Sequence, residues 1–324
     1  MSQEFRLDRF ESRRAELKGR VRVTPLICSD ELSASTGCPV HLKAESLQIT
    51  HAFKIRAAYG ALLPRLDEAR RRGVVTGSSG NFAQGLAFAG RELGVPVTVV
   101  MLEKSAPYKV DATRRLGAEV VFCPNDFAQR PIWVERIHRE QGKLALSSYD
   151  DVETILGNGS LALEIVEQCP DVDVVLAPTS GGGLLAGVAA VIKQARPQAK
   201  VYGVQPEVIP AVKRSLERGE PTEVPNATSV ADGIVANKPG KITFPLIQKY
   251  VDDVLLVSER EIVEAMAESF VQEKLVVEPA GAVTVAALRR YGNPARARRN
   301  IVAILSGGNV EPKRFLELVG SVSH

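Results

Sequence analysis

The chain has 324 residues, 45% of them apolar and 24% charged, with a formal net charge of +3. That length supports one large or two ordinary domains with packed cores, and the small charge excess argues against a nucleic-acid-binding protein. Cys28, Cys38, Cys123 and Cys169 are scattered without ligand-like spacing, which argues against a disulfide framework and a zinc site and suits a reducing cytoplasm.

The first stretch is charged throughout. It reads as an amphipathic helix ending near Gly19, not as a signal peptide or membrane span. Residues 21–26 are extended because Thr24 precedes Pro25, and residues 39–44 read as a strand. The stretch 50–58 opens a helix that runs towards Arg72 and is kinked or broken at Pro64. Strands and helices then alternate: strand 74–76, helix 82–93, strand 96–101, helix 107–116, strand 119–123, helix 127–141 and strand 143–146. The pattern resumes with strand 172–177, helix 184–195 and strand 200–204. Residues 206–245, rich in Pro, Gly, Asn and Lys, read as irregular surface. Strand 254–257, helices 259–273 and 280–290, strand 301–305 and a short last helix complete the chain. The basic runs at 70–72 and 296–299 lack interleaved aromatic residues and read as solvated helix ends. This alternation with apolar strands predicts an α/β protein of two parallel-sheet-based domains. The larger takes residues 1–66 and 151–324; the smaller takes 74–148 and carries a loop able to close over a substrate.

Lys54 stands in Thr50-His51-Ala52-Phe53-Lys54-Ile55-Arg56-Ala57-Ala58, among apolar neighbours and with no acid between Glu45 and Asp67. Desolvation there lowers the amine's pKa and frees its lone pair to attack an aldehyde. Three loops at strand carboxyl ends accompany it, the end at which open α/β sheets bind ligands. Thr179-Ser180-Gly181-Gly182-Gly183 turns backbone N–H groups inward at a helix start, forming an anion cradle suited to phosphate. Gly181, Gly183 and Ala186, with Glu207 further on, also fit a dinucleotide fingerprint, but a nicotinamide site leaves Lys54 without a purpose. Ser78-Ser79-Gly80-Asn81 can hold a carboxylate on the free N–H groups of the next helix, or can simply cap that helix. Ser306-Gly307-Gly308-Asn309 is a third loop of this kind.

With these four stretches the chain resembles the pyridoxal-phosphate enzymes of fold type II, in the threonine dehydratase and serine racemase group. The resemblance runs from Thr24-Pro25-Leu26 to Ser306-Gly307-Gly308-Asn309. It implies pyridoxal 5'-phosphate as cofactor and Lys54 as the Schiff-base lysine, with Phe53 against the ring. Ser180, Gly181, Gly182 and Gly183 are then the phosphate ligands, Asn81 the contact of the ring hydroxyl, and Ser306 that of the pyridine nitrogen. Glu278, in Glu278-Pro279-Ala280-Gly281-Ala282, matches a glutamate near the cofactor. Ser78, Ser79, Gly80, Asn81 and Phe82 correspond to the substrate loop, with Ser79 on the face opposite the lysine.

The chain departs from the family pattern in several places. His51-Ala52 replaces Gly-Ser, and Phe82-Ala83 replaces the usual His-Gly or His-Ala, so Phe82 makes the pocket more apolar. Gln205 and Ala211 stand where eukaryotic serine racemases bind a divalent cation, so no metal site of that kind is expected. The elements at 259–305 leave no room for the regulatory domain of biosynthetic threonine dehydratases. The resemblance implies a dehydratase that converts a β-hydroxy amino acid, threonine or serine or a bulkier analogue, to a 2-oxo acid and ammonia. An amino-acid racemase using Lys54 and Ser79 is the second reading, and a catalytically silent cofactor- or partner-binding protein the third. The expected partners are a small amino-acid substrate and, by the family's habit, a second copy in a homodimer, with no nucleic acid and no membrane.

Overall fold

The chain alternates between two sheets, and the computed structural model describes residues 3–126 and 128–322. Helix α1 (Leu7–Leu17) leads to β1 (Leu26–Ser29), α2 (Asp30–Thr36) and β2 (Val40–Ala44). The lysine stretch then opens α3 (Lys54–Leu62), and a 3-10 turn at Leu63–Arg65 separates it from α4 (Leu66–Arg72). Pro64 has no N–H to continue the ladder, so the helix expected as far as Arg72 comes in two pieces.

Next come β3 (Val74–Gly77), α5 (Asn81–Leu93), β4 (Val97–Leu102), α6 (Pro107–Arg115), β5 (Glu119–Cys123), α7 (Gln129–Gln141) and β6 (Leu144–Ala145). Phe127, where α7 was expected to begin, lies outside the described residues. After α8 (Val152–Gln168) follow β7 (Val172–Pro178), α9 (Gly183–Ala195), β8 (Lys200–Pro206), α10 (Ala211–Arg218), α11 (Thr243–Tyr250) and β9 (Asp253–Val257). The chain continues through α12 (Glu259–Val271), α13 (Pro279–Tyr291), β10 (Asn300–Leu305) and α14 (Pro312–Gly320).

Four strands in the order β5-β4-β3-β6 form one parallel sheet. Six strands in the order β1-β2-β10-β7-β8-β9 form the other, parallel except for the β1–β2 edge pair. Side chains of the central strands alternate between two cores: Val175, Ala177, Val302 and Ile304 face α8 and α9, while Val174, Leu176, Ile301 and Ala303 face α12 and α13. Burial on both faces explains why these strands read as continuous apolar runs.

Four helices escaped the sequence reading. Residues 152–168 carry Gly157, Asn158 and Gly159, which are poor helix formers, and an apolar surface that shows no single stripe. Tertiary packing overrides that propensity: α8 is buried almost throughout, and the Asp151 side chain accepts from the N–H groups of Glu153 and Thr154 to cap it. The stretch 206–245 is likewise not all irregular, since it holds α10 and the start of α11. The short α2, capped by Ser29, was also unforeseen.

The crossing of α3 and α8 depends on glycine. A Cβ on Gly157 would overlap the carbonyl of Arg56, and one on Gly60 would meet that of Glu153 at 2.6 Å. This close approach encloses four charges. Arg56 donates to Glu45 (2.9 Å) and Glu164 (2.6 Å), Lys43 donates to Glu164 (2.6 Å), and all four side chains are at most 2% exposed. Burial alone would raise the Glu45 carboxyl, but the Arg56 guanidinium holds it below its ordinary value, helped by a 2.6 Å bond from Thr24. Removing one partner strands the opposite charge out of water. Glu164→Leu is therefore expected to lower the unfolding free energy by about 3–5 kcal/mol in urea titrations. Removing the exposed Arg136–Glu140 pair should leave the urea midpoint nearly unchanged.

Candidate active site

Lys54 is the first residue of α3, so its side chain projects from the helix start towards the junction between the sheets. The half-buried ammonium donates to the Ser148 carbonyl at 2.8 Å and makes no ion pair among the described residues. It lies 5.0 Å from the centre of the Phe53 ring and 5.7 Å from that of Phe82. Burial brings its pKa down to about 8. The amine is thus largely charged at neutral pH yet loses its proton far more easily than a surface lysine.

The loop after β7 leads into α9, whose first turn has no side-chain cap among the described residues. Gly182 has φ +100, which only glycine adopts without strain, and a Cβ on Gly181 would overlap the Tyr149 ring. The Gly181 carbonyl is fixed from behind by Thr243 Oγ1 (2.7 Å) and the Gly240 N–H (3.0 Å). Ser180 Oγ accepts from the Ala236 N–H at 3.0 Å, so its hydroxyl oxygen is already engaged. Thr179 Oγ1, at the head of the loop, is buried without a partner among the described residues. Free helix N–H groups, glycines that admit no side chain and an unpaired buried hydroxyl together fit the phosphate of pyridoxal phosphate.

The other two loops meet beside this cradle. Phe53 N–H donates to Ser306 O (3.0 Å) and Glu278 N–H to Gly307 O (3.0 Å). Asn81, at the start of α5, donates to Glu278 at 2.5 Å and accepts from Asn309 at 2.9 Å. Burial lifts the Glu278 carboxyl to about 7. Ser306 Oγ is buried and, among the described residues, reaches only Ala280 O, at 3.5 Å. Ser79 Oγ lies 2.9 Å from Ser105 Oγ, and Ser78 Oγ accepts from the Gly80 N–H at 3.3 Å. Phe82 is buried. The residues expected to bind a cofactor and those expected to bind a substrate thus come together from both sheets.

Several members of the site were not read from the sequence. Ser148 and Tyr149 lie between β6 and α8, where no motif marked them, and Ser105 sits in a plain loop after β4. Asn309 was seen only as the end of a loop. At Gln205, Oε1 accepts from the N–H groups of Val212 (3.0 Å) and Lys213 (3.3 Å) at the start of α10, and Ala211 offers no side-chain ligand. No group of three or more His, Cys, Asp or Glu residues that could hold a metal occurs among the described residues.

Comparison with known families gives a match to "Pyridoxal-phosphate dependent enzyme" over residues 17–307. The chain belongs to this family. An L-threonine ammonia-lyase of Geobacter sulfurreducens is 42% identical over 305 residues, covering 94% of this chain and 75% of that one. An L-threo-3-hydroxyaspartate ammonia-lyase of Pseudomonas is 38% identical over 304 residues, covering 94% and 95%. The structure of maize serine racemase matches with a TM-score of 0.92 at 30% identity, covering 97% of each chain. The enzyme is a fold type II pyridoxal-phosphate-dependent lyase of the dehydratase, or ammonia-lyase, class acting on an amino acid. No helix among its described residues is long and apolar enough to cross a membrane.

The depressed amine of Lys54 gives a direct test. In cofactor-free protein, its acylation rate, read by peptide mass spectrometry, should rise with a midpoint near pH 8, against 10.5 for an ordinary lysine. Between those values the unfolded chain binds more protons than the folded one, so the contribution of this group to stability grows as pH rises. A midpoint near 10 would remove the desolvation argument.

Proposed function

We propose that this enzyme dehydrates a β-hydroxy amino acid, threonine or an analogue with a bulkier apolar β-substituent, to a 2-oxo acid and ammonia. The observation that carries the reading is a lysine with a pKa of about 8, paired to a carbonyl and set between two aromatic rings beside an anion cradle. The names of the ammonia-lyase relatives support the substrate class.

Bound pyridoxal phosphate supplies an electron sink that acidifies the substrate's Cα–H. The N–H groups of Gly181, Gly182 and Gly183 would hold its phosphate, with Ser180 steadying the loop. Phe53 would pack against its ring, Asn81 would contact the ring hydroxyl with Glu278 bonded behind it, and Ser306 would be the neutral partner of the pyridine nitrogen. Ser78, Ser79, Gly80 and the N-terminus of α5 take the substrate carboxylate, and Phe82 lines the side-chain pocket. Lys54 takes the Cα proton as general base. That proton and the β-hydroxyl leave as water, and hydrolysis of the released enamine yields the 2-oxo acid and ammonia.

Residues 74–148 form a small body that closes on the carboxylate, against a larger body of 1–66 and 151–324. Four unpaired cysteines support residence in a reducing cytoplasm. Assembly as a homodimer follows the family's habit.

A panel of β-hydroxy amino acids assayed for oxo-acid release tests the reaction. Because Phe82 is an aromatic wall, substrates with an apolar β-substituent should exceed serine in kcat/KM. Phe82→His should shift that ratio towards serine by about tenfold or more, the scale of a changed hydrophobic pocket contact. An unchanged ratio would mean that Phe82 does not contact the side chain, and absence of oxo acid from every member would refute the dehydratase reading.

The 2.9 Å contact of Ser79 with Ser105 favours a second reading, amino-acid racemisation, because it gives the opposite face a hydroxyl with a proton partner. Elimination needs one base at Cα, whereas inversion needs two. Ser79→Ala should therefore keep a measurable part of the dehydration of one enantiomer while inversion disappears. Solvent deuterium entering Cα with inversion in that variant would overturn the role of Ser79.

A further inference from the structure

Hydrogen-bond accounting where the lysine stretch, the substrate loop and the last loop meet determines which way one amide points. Asn309 Nδ2 carries two hydrogens; one goes to the Thr50 carbonyl at 2.8 Å and the other to Asn81 Oδ1 at 2.9 Å. Turning Asn309 over would set its oxygen against a main-chain carbonyl, two acceptors with no proton between them. Its orientation is therefore imposed by the backbone. With Oδ1 of Asn81 occupied, Nδ2 must point the other way, where one of its hydrogens goes to Glu278 Oε1 at 2.5 Å. Gly307 admits this arrangement, since a Cβ there would stand 3.1 Å from Asn81 Nδ2 and overlap Glu278 Oε1.

We propose that Asn309 is a positioning residue, which through Asn81 dictates that a hydrogen-bond donor and not an acceptor faces the phenolic oxygen of the bound cofactor. The inference rests on the reading of Asn81 as the contact of that oxygen. Glu278 does not set the amide by itself. Burial lifts its carboxyl to about 7, and as a neutral acid it can donate to an amide oxygen as readily as it accepts from an amide nitrogen. Asn309, tied to the Thr50 carbonyl, has no such freedom. A donor on the phenolic oxygen stabilises its ionised form, so the state of the cofactor is controlled from a residue that does not touch it.

The test compares Asn309→Asp, Asn309→Ala and Asn81→Asp by the visible absorption of the holoenzyme and by titration of the cofactor-free protein with pyridoxal phosphate. A carboxylate at 309 can only accept, so it turns Asn81 over. Asn309→Asp should move the absorption band in the same direction as Asn81→Asp and weaken cofactor binding about ten- to a hundredfold, the factor carried by one hydrogen bond to a charged group. Asn309→Ala, which frees the amide without repelling it, should give a smaller shift in the same direction. If Asn81→Asp changes the band while both Asn309 variants keep it, with or without a lower thermal midpoint, Asn309 is merely structural and the inference is overturned. If Asn81→Asp leaves the band unchanged, the underlying reading of Asn81 fails instead. Should Asn309→Asp not fold, the band of Asn309→Ala decides alone.

Discussion

A lysine whose pKa burial brings down to about 8 cannot be held by a carboxylate, and the residues around Lys54 are arranged around that constraint. An acid beside Lys54 would favour the charged amine and undo the effect of burial. Two acids buried against the same helix are already neutralised: Glu45 by Arg56, and Glu164 by Arg56 and Lys43. Two cations balance two anions in that cluster, and Arg56 stands only two residues beyond Lys54 on the same helix. The acid on the opposite side, Glu278, is buried enough to lie near its own neutral point and is bonded to an amide. What remains for Lys54 is one carbonyl and two aromatic faces. The charged cluster thus does more than stiffen the crossing of α3 and α8; it keeps its negative charges engaged by cations other than Lys54.

That carbonyl belongs to a short segment tying Lys54 to the glycine loop after β7. Ser147 O accepts from Thr154 Oγ1 (3.1 Å), and Ser148 O accepts from Lys54. The Tyr149 ring lies against Gly181, and Asp150 accepts from the N–H groups of Lys241, Ile242 and Thr243 at the approach to α11. Asp151 caps α8. Five consecutive residues at the crossover between the two sheets therefore set the height of the lysine, the back wall of the cradle and the start of a core helix.

What the sequence could reveal follows from which interactions are local. Strands β3, β4, β7 and β10 and the loops after β3, β7 and β10 were legible because apolar runs, glycines and caps carry their own signal within a few residues. Lys54 stood out for the same reason, an amine in an apolar run. Lys43 and Arg56 did not, since a lysine in a strand and an arginine in a helix look like surface residues until Glu45 and Glu164 are brought to them across 11 to 121 positions. Helix α8 was missed because its two glycines are there for neighbouring backbones to approach, a tertiary reason that lowers every local score for helix. Ser148 acts through its carbonyl, which no side-chain motif can announce.

The site's polar contacts also explain why it straddles two sheets and is not sunk into one. Asn81 belongs to the four-stranded side, while Glu278 and Asn309 belong to the six-stranded side, so the Asn81 amide is satisfied at both ends only when the two bodies are together. A second tie, Lys109 to Asp232 at 2.5 Å, joins α6 to the 3-10 turn at Asp232–Ile234. A Cβ on Gly233 of that turn would lie 3.2 Å from Ala280, which places the tie close to Glu278. Separation would cost the part-buried Asn81 amide its partners, whereas water more readily replaces those of the exposed Asp232. The amide contacts therefore resist opening more than the ion pair does.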